Sequence, residues 1–169
     1  MCLGTVVFDL NLNHEDQRLK SPHSRRLVPI HPSLIQLGIL EHWKMRKTTG
    51  KSQRLFPDAK IASDGTYSST FSKWFGRYLK NTNIKTDKTS FHSLRHNVKD
   101  LFRQSGESDE LAENFVGRST GSTGEAYGSG FTAERLQEAL NKLNYTPLLD
   151  VEEMIRARTA TGFAREQSL

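Results

Sequence analysis

Phe91-His92-Ser93-Leu94-Arg95-His96-Asn97-Val98-Lys99-Asp100-Leu101-Phe102-Arg103-Gln104-Ser105-Gly106-Glu107-Ser108-Asp109-Glu110-Leu111-Ala112-Glu113-Asn114-Phe115-Val116-Gly117 reads as two helices joined by a capped turn. Leu94, Val98, Leu101 and Phe102 recur at three- and four-residue steps, which gathers them on the inward side of a helix over 92–105. Gly106 falls where a C-terminal cap is expected, because glycine enters the left-handed conformation without a Cβ clash. Ser108 or Asp109 is placed to accept from the free N–H groups of a short second helix carrying Leu111, Ala112, Phe115 and Val116. That helix ends near Gly117.

Toward the N-terminus the pattern changes period. Thr5 to Leu12 begins with β-branched and aromatic residues and ends in alternation, as a half-buried strand requires. Arg26-Leu27-Val28-Pro29-Ile30 reads as a return strand, with Pro29 at an edge or a strand end. The polar stretch between them makes a small antiparallel hairpin with a long basic loop. His31-Pro32-Ser33 then opens a helix whose buried stripe is Leu34, Ile35, Leu37 and Leu40, with Gly38-Ile39 as a point where it breaks in two. Residues 47–66 read as a loop anchored by Leu55-Phe56-Pro57. In the next helix Phe71, Trp74, Phe75, Tyr78 and Leu79 share one face, and Lys73, Arg77 and Lys80 share the other. Such a basic face is either ordinary solvated surface or a phosphate-contacting one.

Toward the C-terminus, residues 118–130 are rich in Gly, Ser and Thr, after which Thr132 caps a helix with Leu136, Ala139, Leu140 and Leu143 inward. Val151, Met154 and Ile155 mark a last amphipathic stretch that runs into a polar end. The expected architecture is therefore mainly α with a small antiparallel β hairpin near the N-terminus. It is read as one domain over 1–150 with a C-terminal tail over 151–169.

Composition limits the function classes. With 35% hydrophobic and 25% charged residues, no apolar run approaches the roughly 18 residues of a membrane span. No secretory signal opens the chain, so an intracellular, cytoplasmic and nucleoid-associated location is expected. Cys2 is the single cysteine, which excludes an internal disulfide and a cysteine-rich zinc site. The 24 Lys and Arg against 19 Asp and Glu give +5, a sign that suits a polyanionic partner such as DNA or RNA.

His92 and Arg95 lie three apart and project to the same side of a helix. Arginine presents a planar fork of donors to a phosphate, and histidine donates a hydrogen bond or moves a proton near neutral pH. Chance packing yields the same pair. His92 and His96 also stand at zinc-binding spacing, but no glutamate follows the first histidine and no third ligand is evident, so no metal is expected. Farther along, Gly124-Glu125-Ala126-Tyr127-Gly128 sets a tyrosine in a glycine-rich run before a helix, where an isolated ring would by default simply pack.

Taken in order, His-x-x-Arg-His, a short helix, Val116-Gly117, and a glycine-flanked Tyr127 about ten residues later strongly resemble the C-terminal boxes of the tyrosine recombinase (phage-integrase) family. Upstream, Arg18-Leu19-Lys20-Ser21-Pro22-His23-Ser24-Arg25-Arg26-Leu27-Val28-Pro29-Ile30-His31-Pro32 looks like the family's lysine-bearing hairpin. Leu55-Phe56-Pro57 and the aromatic helix also fit, so the resemblance runs from about Thr5 to Asp150. Type IB topoisomerases share the chemistry, but the boxes look more like those of integrases.

The resemblance implies an enzyme that integrates or recombines double-stranded DNA at specific sites. Tyr127 would be the nucleophile that forms a 3'-phosphotyrosine, Arg95 and His92 would hold the phosphate, and Lys20 would protonate the departing 5'-oxygen. Arg118 stands where the family usually has His or Trp, and an arginine donates to a phosphate but does not accept a proton. Arg25, Arg26, Lys73, Arg77 and Lys80 are the expected DNA contacts. No cofactor, no small-molecule substrate and no membrane are implied, and self-association on DNA, a tetramer in the family, is. Lys20, His92, Arg95, Arg118 and Tyr127 are expected to border one basic surface. The family's upstream catalytic arginine has no counterpart, so the chain is expected to be an N-terminally truncated piece, a decayed remnant, or a stand-alone relative missing one element. Losing one such donor costs about 2.7 to 4 kcal/mol, so cleavage by the isolated chain is expected to be nearly absent. Two other readings are a catalytically incomplete DNA-binding remnant and a non-enzymatic helical interaction domain.

Overall fold

The computed structural model describes residues 4–13, 17, 19, 24–49, 54–118, 130–143 and 150–160, of which 158–160 by their backbone alone. Among the described residues are seven helices and a two-stranded antiparallel sheet, the mainly helical class with an N-terminal hairpin that the sequence predicts. The chain divides into two compact units, one of Met1–Leu40 with Leu101–Leu169, the other of Glu41–Asp100.

In the first unit β1 (Val7–Leu10) pairs with β2 (Arg26–Pro29), setting Phe8 opposite Val28 and Leu10 opposite Arg26. Both strands are shorter than the alternation suggests. Pro29 brings no N–H to the ladder, and at the end of β1 the Asn11 side chain donates to Asp9 and accepts from the Asn13 N–H, closing a local turn. α1 (Pro32–Gln36) is capped by His31, whose Nδ1 accepts from the Ser33 N–H at 3.1 Å. Gly38, at φ 86°, separates it from α2 (Ile39–Thr48), the break expected there. Leu34, expected in the buried stripe, is exposed, because a helix of five residues turns only one narrow side inward.

The core of this unit is made by the last turn of α4 (Ser93–Gln104), of which Leu101–Gln104 fall in this unit, with α5 (Asp109–Val116) and α6 (Ala133–Asn141), and α6 packs on β2. Phe102, Leu111, Ala112, Val116, Leu136, Ala139, Leu140, Leu143 and Ile30 are all buried. Phe102 meets Phe115 edge-on at 5.0 Å. Ser108 and Thr132 cap α5 and α6 as predicted, accepting from the N–H groups of Leu111 and Arg135 at 3.2 Å. Leu94, by contrast, lies at the exposed start of α4 rather than in the core.

Two polar contacts fasten these elements. Glu107 has a side chain only 2% exposed, and its carboxylate is held by Arg135 and by Lys142 Nζ at 2.7 Å. Arg26 Nε donates to the Phe115 carbonyl at 3.1 Å and its Nη1 to the Ser24 carbonyl at 2.9 Å. A cation at the last carbonyls of a helix answers their partial negative charge. The guanidinium fits because Gly117, in the left-handed conformation at φ 73°, has no side chain: a Cβ there would stand 2.3 Å from Nη1. α7 (Val151–Ala160) starts with Asp150 accepting from the Glu153 N–H at 2.8 Å.

In the second unit, His42 Nε2 pairs with the Leu55 carbonyl at 2.7 Å and its ring stacks on Phe56, but Phe56 is 64% exposed, so the loop is held here through its backbone rather than by the buried apolar anchor expected of Leu55-Phe56-Pro57. Asp64 accepts from the Thr66 N–H and the Ser69 hydroxyl ahead of α3 (Ser68–Asn81). After α3 the chain reverses at Asn83, φ 57°, where the N–H groups of Ile84 and Lys85 close on the Leu79 carbonyl. Leu79 is buried, but Phe71, Trp74 and Tyr78 are 47%, 49% and 48% exposed.

Gly106 and Gly117 share a left-handed φ, yet a Cβ at 106 meets nothing within 4 Å. Gly106→Ala is expected to destabilise by about 1–2 kcal/mol through backbone strain alone. Gly117→Ala is expected to cost at least about 1 kcal/mol more, because Arg26 must leave its carbonyls. That excess should vanish in an Arg26→Ala background. Urea denaturation measures all of these, and equal costs at the two glycines in the native background would contradict the Arg26 clasp.

Acid should lower the stability of this protein over two pH windows. Burial pushes the His31 imidazole below its ordinary 6.5, outweighing a hydrogen bond with the Leu143 carbonyl. The hydrogen bonds from Arg135 and then Lys142 hold Glu107 below its ordinary 4.5. In both windows the unfolded chain binds more protons than the folded one, so stability falls as pH drops, first below about 6.5 and again below about 4.5. His31→Asn, which keeps an acceptor at the cap, should flatten the upper stage of Tm against pH, and Glu107→Gln should reduce the lower. A Tm that is level from pH 7 to pH 5 would contradict the His31 assignment.

Candidate functional site

The start of α4 is built by two serines. Ser93 N–H donates to Ser90 Oγ at 3.2 Å and Ser90 N–H donates to Ser93 Oγ at 3.1 Å, a reciprocal closure of the capping-box kind with serine in both roles. The turn so fixed carries Phe91 and His92. Phe91 meets Phe71 at 5.0 Å and Phe75 at 5.7 Å, edge-on to both, which anchors the turn to α3. His92 is thereby exposed at the N-terminus of a 12-residue helix.

The Arg95 N–H donates to the His92 carbonyl at 3.1 Å, placing the two residues on one helical turn as their spacing predicts. The Arg95 side chain is half-buried, and among the described residues its guanidinium makes no hydrogen bond or ion pair. His96 follows, its ring edge-on to His92 at 5.5 Å. An anion arriving here meets the positive end of the helix dipole, a fork of guanidinium donors and an imidazole. Among the described residues no cluster of three or more His, Cys, Asp or Glu is placed to hold a metal ion, so the His92–His96 pair has no third ligand there.

Arg118 leaves α5 through the same left-handed turn that admits Arg26. Gly117 N–H donates to the Asn114 carbonyl at 3.0 Å and Arg118 N–H to the Glu113 carbonyl at 2.9 Å, which leaves the Arg118 residue exposed. His92 and Arg95 belong to the unit Glu41–Asp100 and Arg118 to the other. Lys20 and Tyr127 lie outside the described residues. Of the expected DNA contacts, Arg25, Lys73, Arg77 and Lys80 are exposed, whereas the Arg26 guanidinium is committed to backbone carbonyls.

One property went unread in the sequence because charge was summed over the whole chain. Glu41–Asp100 holds 13 Lys and Arg against 5 Asp and Glu, a net of +8. The rest of the chain holds 11 against 14, a net of −3. A charge count in windows along the chain would have found it. No helix among the described residues is long and apolar enough to cross a membrane. Comparison with family sequence models, curated proteins and solved structures finds no match to the chain, so its residues and their geometry carry the functional reading by themselves.

A DNA-facing basic surface would make duplex affinity fall steeply with salt, log K changing by about 0.9 per neutralised phosphate for each unit of log[salt]. Arg95→Ala should reduce that slope by about one. Arg26→Ala, with its guanidinium already occupied, should leave the slope unchanged in the folded protein. Fluorescence anisotropy titrations decide this, and a flat affinity from low to moderate salt would contradict a DNA-facing basic surface.

Proposed function

We propose that the chain supplies the catalytic-domain part of a tyrosine recombinase of the phage-integrase type, cleaving and rejoining double-stranded DNA. The observation that carries this reading is the first turn of α4, where exposed His92 shares the positive end of a helix with an Arg95 guanidinium that has no partner among the described residues. That turn is followed in the chain by α5, the left-handed Gly117 with Arg118 behind it, and then Tyr127, in the order the family's boxes take.

The chemistry assigns one role to each residue. The Tyr127 hydroxyl oxygen attacks a backbone phosphorus, the bond from phosphorus to the 5'-oxygen breaks, and a 3'-phosphotyrosine forms. Lys20 gives its proton to the leaving 5'-oxygen, and His92 accepts the tyrosine proton or bonds a phosphate oxygen. Arg95 and Arg118 face the charge that gathers on the non-bridging oxygens. The reverse attack by a 5'-hydroxyl restores the DNA, and because the linkage conserves the bond energy the cycle consumes no nucleotide. The charge of the unit Glu41–Asp100 also favours DNA binding without cleavage, which is the second reading.

A nicked suicide duplex, from which the short 5'-hydroxyl strand diffuses away, separates them. The chain should accumulate a covalent protein–DNA adduct slowly, and Tyr127→Phe should abolish it while leaving duplex affinity within about twofold. Adduct formation that persists in Tyr127→Phe would overturn the assignment of the nucleophile. Binding with no adduct at all would favour the binding-only reading.

A further inference from the structure

We propose that the exposed face of α3 is a binding strip for single-stranded nucleic acid, with bases stacked on Trp74 and Tyr78 and phosphates held by Lys73, Arg77 and Lys80. This inference goes beyond the recombinase reading and does not rest on it.

The aromatic face of α3 has two flanks. On one, Phe71 and Phe75 receive Phe91 edge-on and Leu79 is buried, although Phe71 stays about as exposed as Trp74, whose ring it meets at 5.3 Å. On the other, Trp74 and Tyr78 lie nearly parallel, 18° apart with centroids at 5.7 Å, and both rings are about half exposed. At about 100° per residue, Arg77 stands roughly 60° round the helix from Trp74, with Lys73 and Lys80 farther round at about 100° and 120°. Arg77 thus borders Trp74, and Lys73 and Lys80 continue round the helix from it, so a strand stacked on the rings would meet Arg77 first and the two lysines along its outer edge. α3 contains no Asp or Glu, and the side chains of Arg77 and Lys80 make no ion pair among the described residues. The unit around them carries +8.

Charge complementarity makes the occupant a polyanion, since a second copy of this face would bring like charges together. The rings narrow it further. In a duplex the base faces are already stacked, whereas a single strand offers a free π-face at every nucleotide beside a chain of phosphates. Any base can stack, so the strip should be tolerant of sequence, and binding should weaken with salt.

The test uses the full chain with Trp43→Phe, which leaves Trp74 as the one tryptophan, titrated with single-stranded oligothymidylate, oligouridylate and a duplex of equal length. Single strands should quench Trp74 emission and the duplex should quench it far less; the DNA and RNA arms show which sugar is preferred. Trp74→Ala should weaken single-strand binding by about tenfold or more, Trp74→Phe should restore most of it, and Lys73→Gln with Arg77→Gln should flatten its salt dependence. Circular dichroism checks that each variant is folded. The polar-side variants leave the packed flank intact. Unchanged quenching by single strand and duplex alike, or single-strand affinity within twofold of the parent for Trp74→Ala, would overturn the proposal. Loss of a self-associated species in Trp74→Ala, without loss of single-strand binding, would instead make the face a contact between copies. Tyr127→Phe should bind single strands as the parent does, so failure of the recombinase reading would leave this result standing.

Discussion

A guanidinium lodged at the end of a helix holds the first unit in register. Arg26 comes from the second strand of the hairpin and donates to the carbonyl of Phe115, 89 residues on, at the C-terminus of α5. Such a contact needs an accepting carbonyl with no further helical partner, and open space beyond it. Gly117 supplies the space, because any side chain there would occupy the position of Arg26 Nη1. The same left-handed turn sends Arg118 outward. One arginine and one glycine therefore tie the hairpin to the helix end from which the segment holding Tyr127 departs. The buried Glu107, gripped by Arg135 and Lys142, joins the α4–α5 turn to α6 in the same way. A carboxylate with so little exposure is retained only with its cations in place.

The parts of this structure that were legible in the sequence are those governed by neighbours along the chain. Ser108 and Thr132 cap helices because a side-chain oxygen reaches an N–H three residues on, and Gly38, Gly106 and Gly117 mark reversals that depend on their own φ. Periodicity also gave the core positions of α5 and α6. It failed at Leu34 and Leu94, since a period shows which side chains share a side and not whether anything covers that side. The clasp of Arg26 and the Glu107 cluster were illegible for a different reason. Their distant partners lie 28 to 89 residues away, and nothing in the local pattern of an arginine separates one that binds a phosphate from one that binds a carbonyl. Of the candidate site, the pairing of His92 with Arg95 on one turn was readable from spacing. The serine closure that exposes it was not.

Charge divides the chain more sharply than its overall +5 suggests. The unit Glu41–Asp100 carries the excess of cations, and its aromatic packing, Phe91 on Phe71 and Phe75, sets the turn that bears His92. The packed flank of α3 thus serves the first turn of α4 while its outer flank stays open beside Lys73, Arg77 and Lys80. The two proposals draw on different physics at these two places: a preorganised set of donors for one phosphoryl group, and a tolerant strip of rings and charges for an extended strand.

If Tyr127 carries the DNA during cleavage as proposed, peptide mass spectrometry of the adduct recovered from a suicide substrate after nuclease digestion will find a nucleotide attached through its 3'-phosphate to the peptide containing Tyr127, and to no other tyrosine. A nucleotide attached elsewhere, or through a 5'-phosphate, would contradict it.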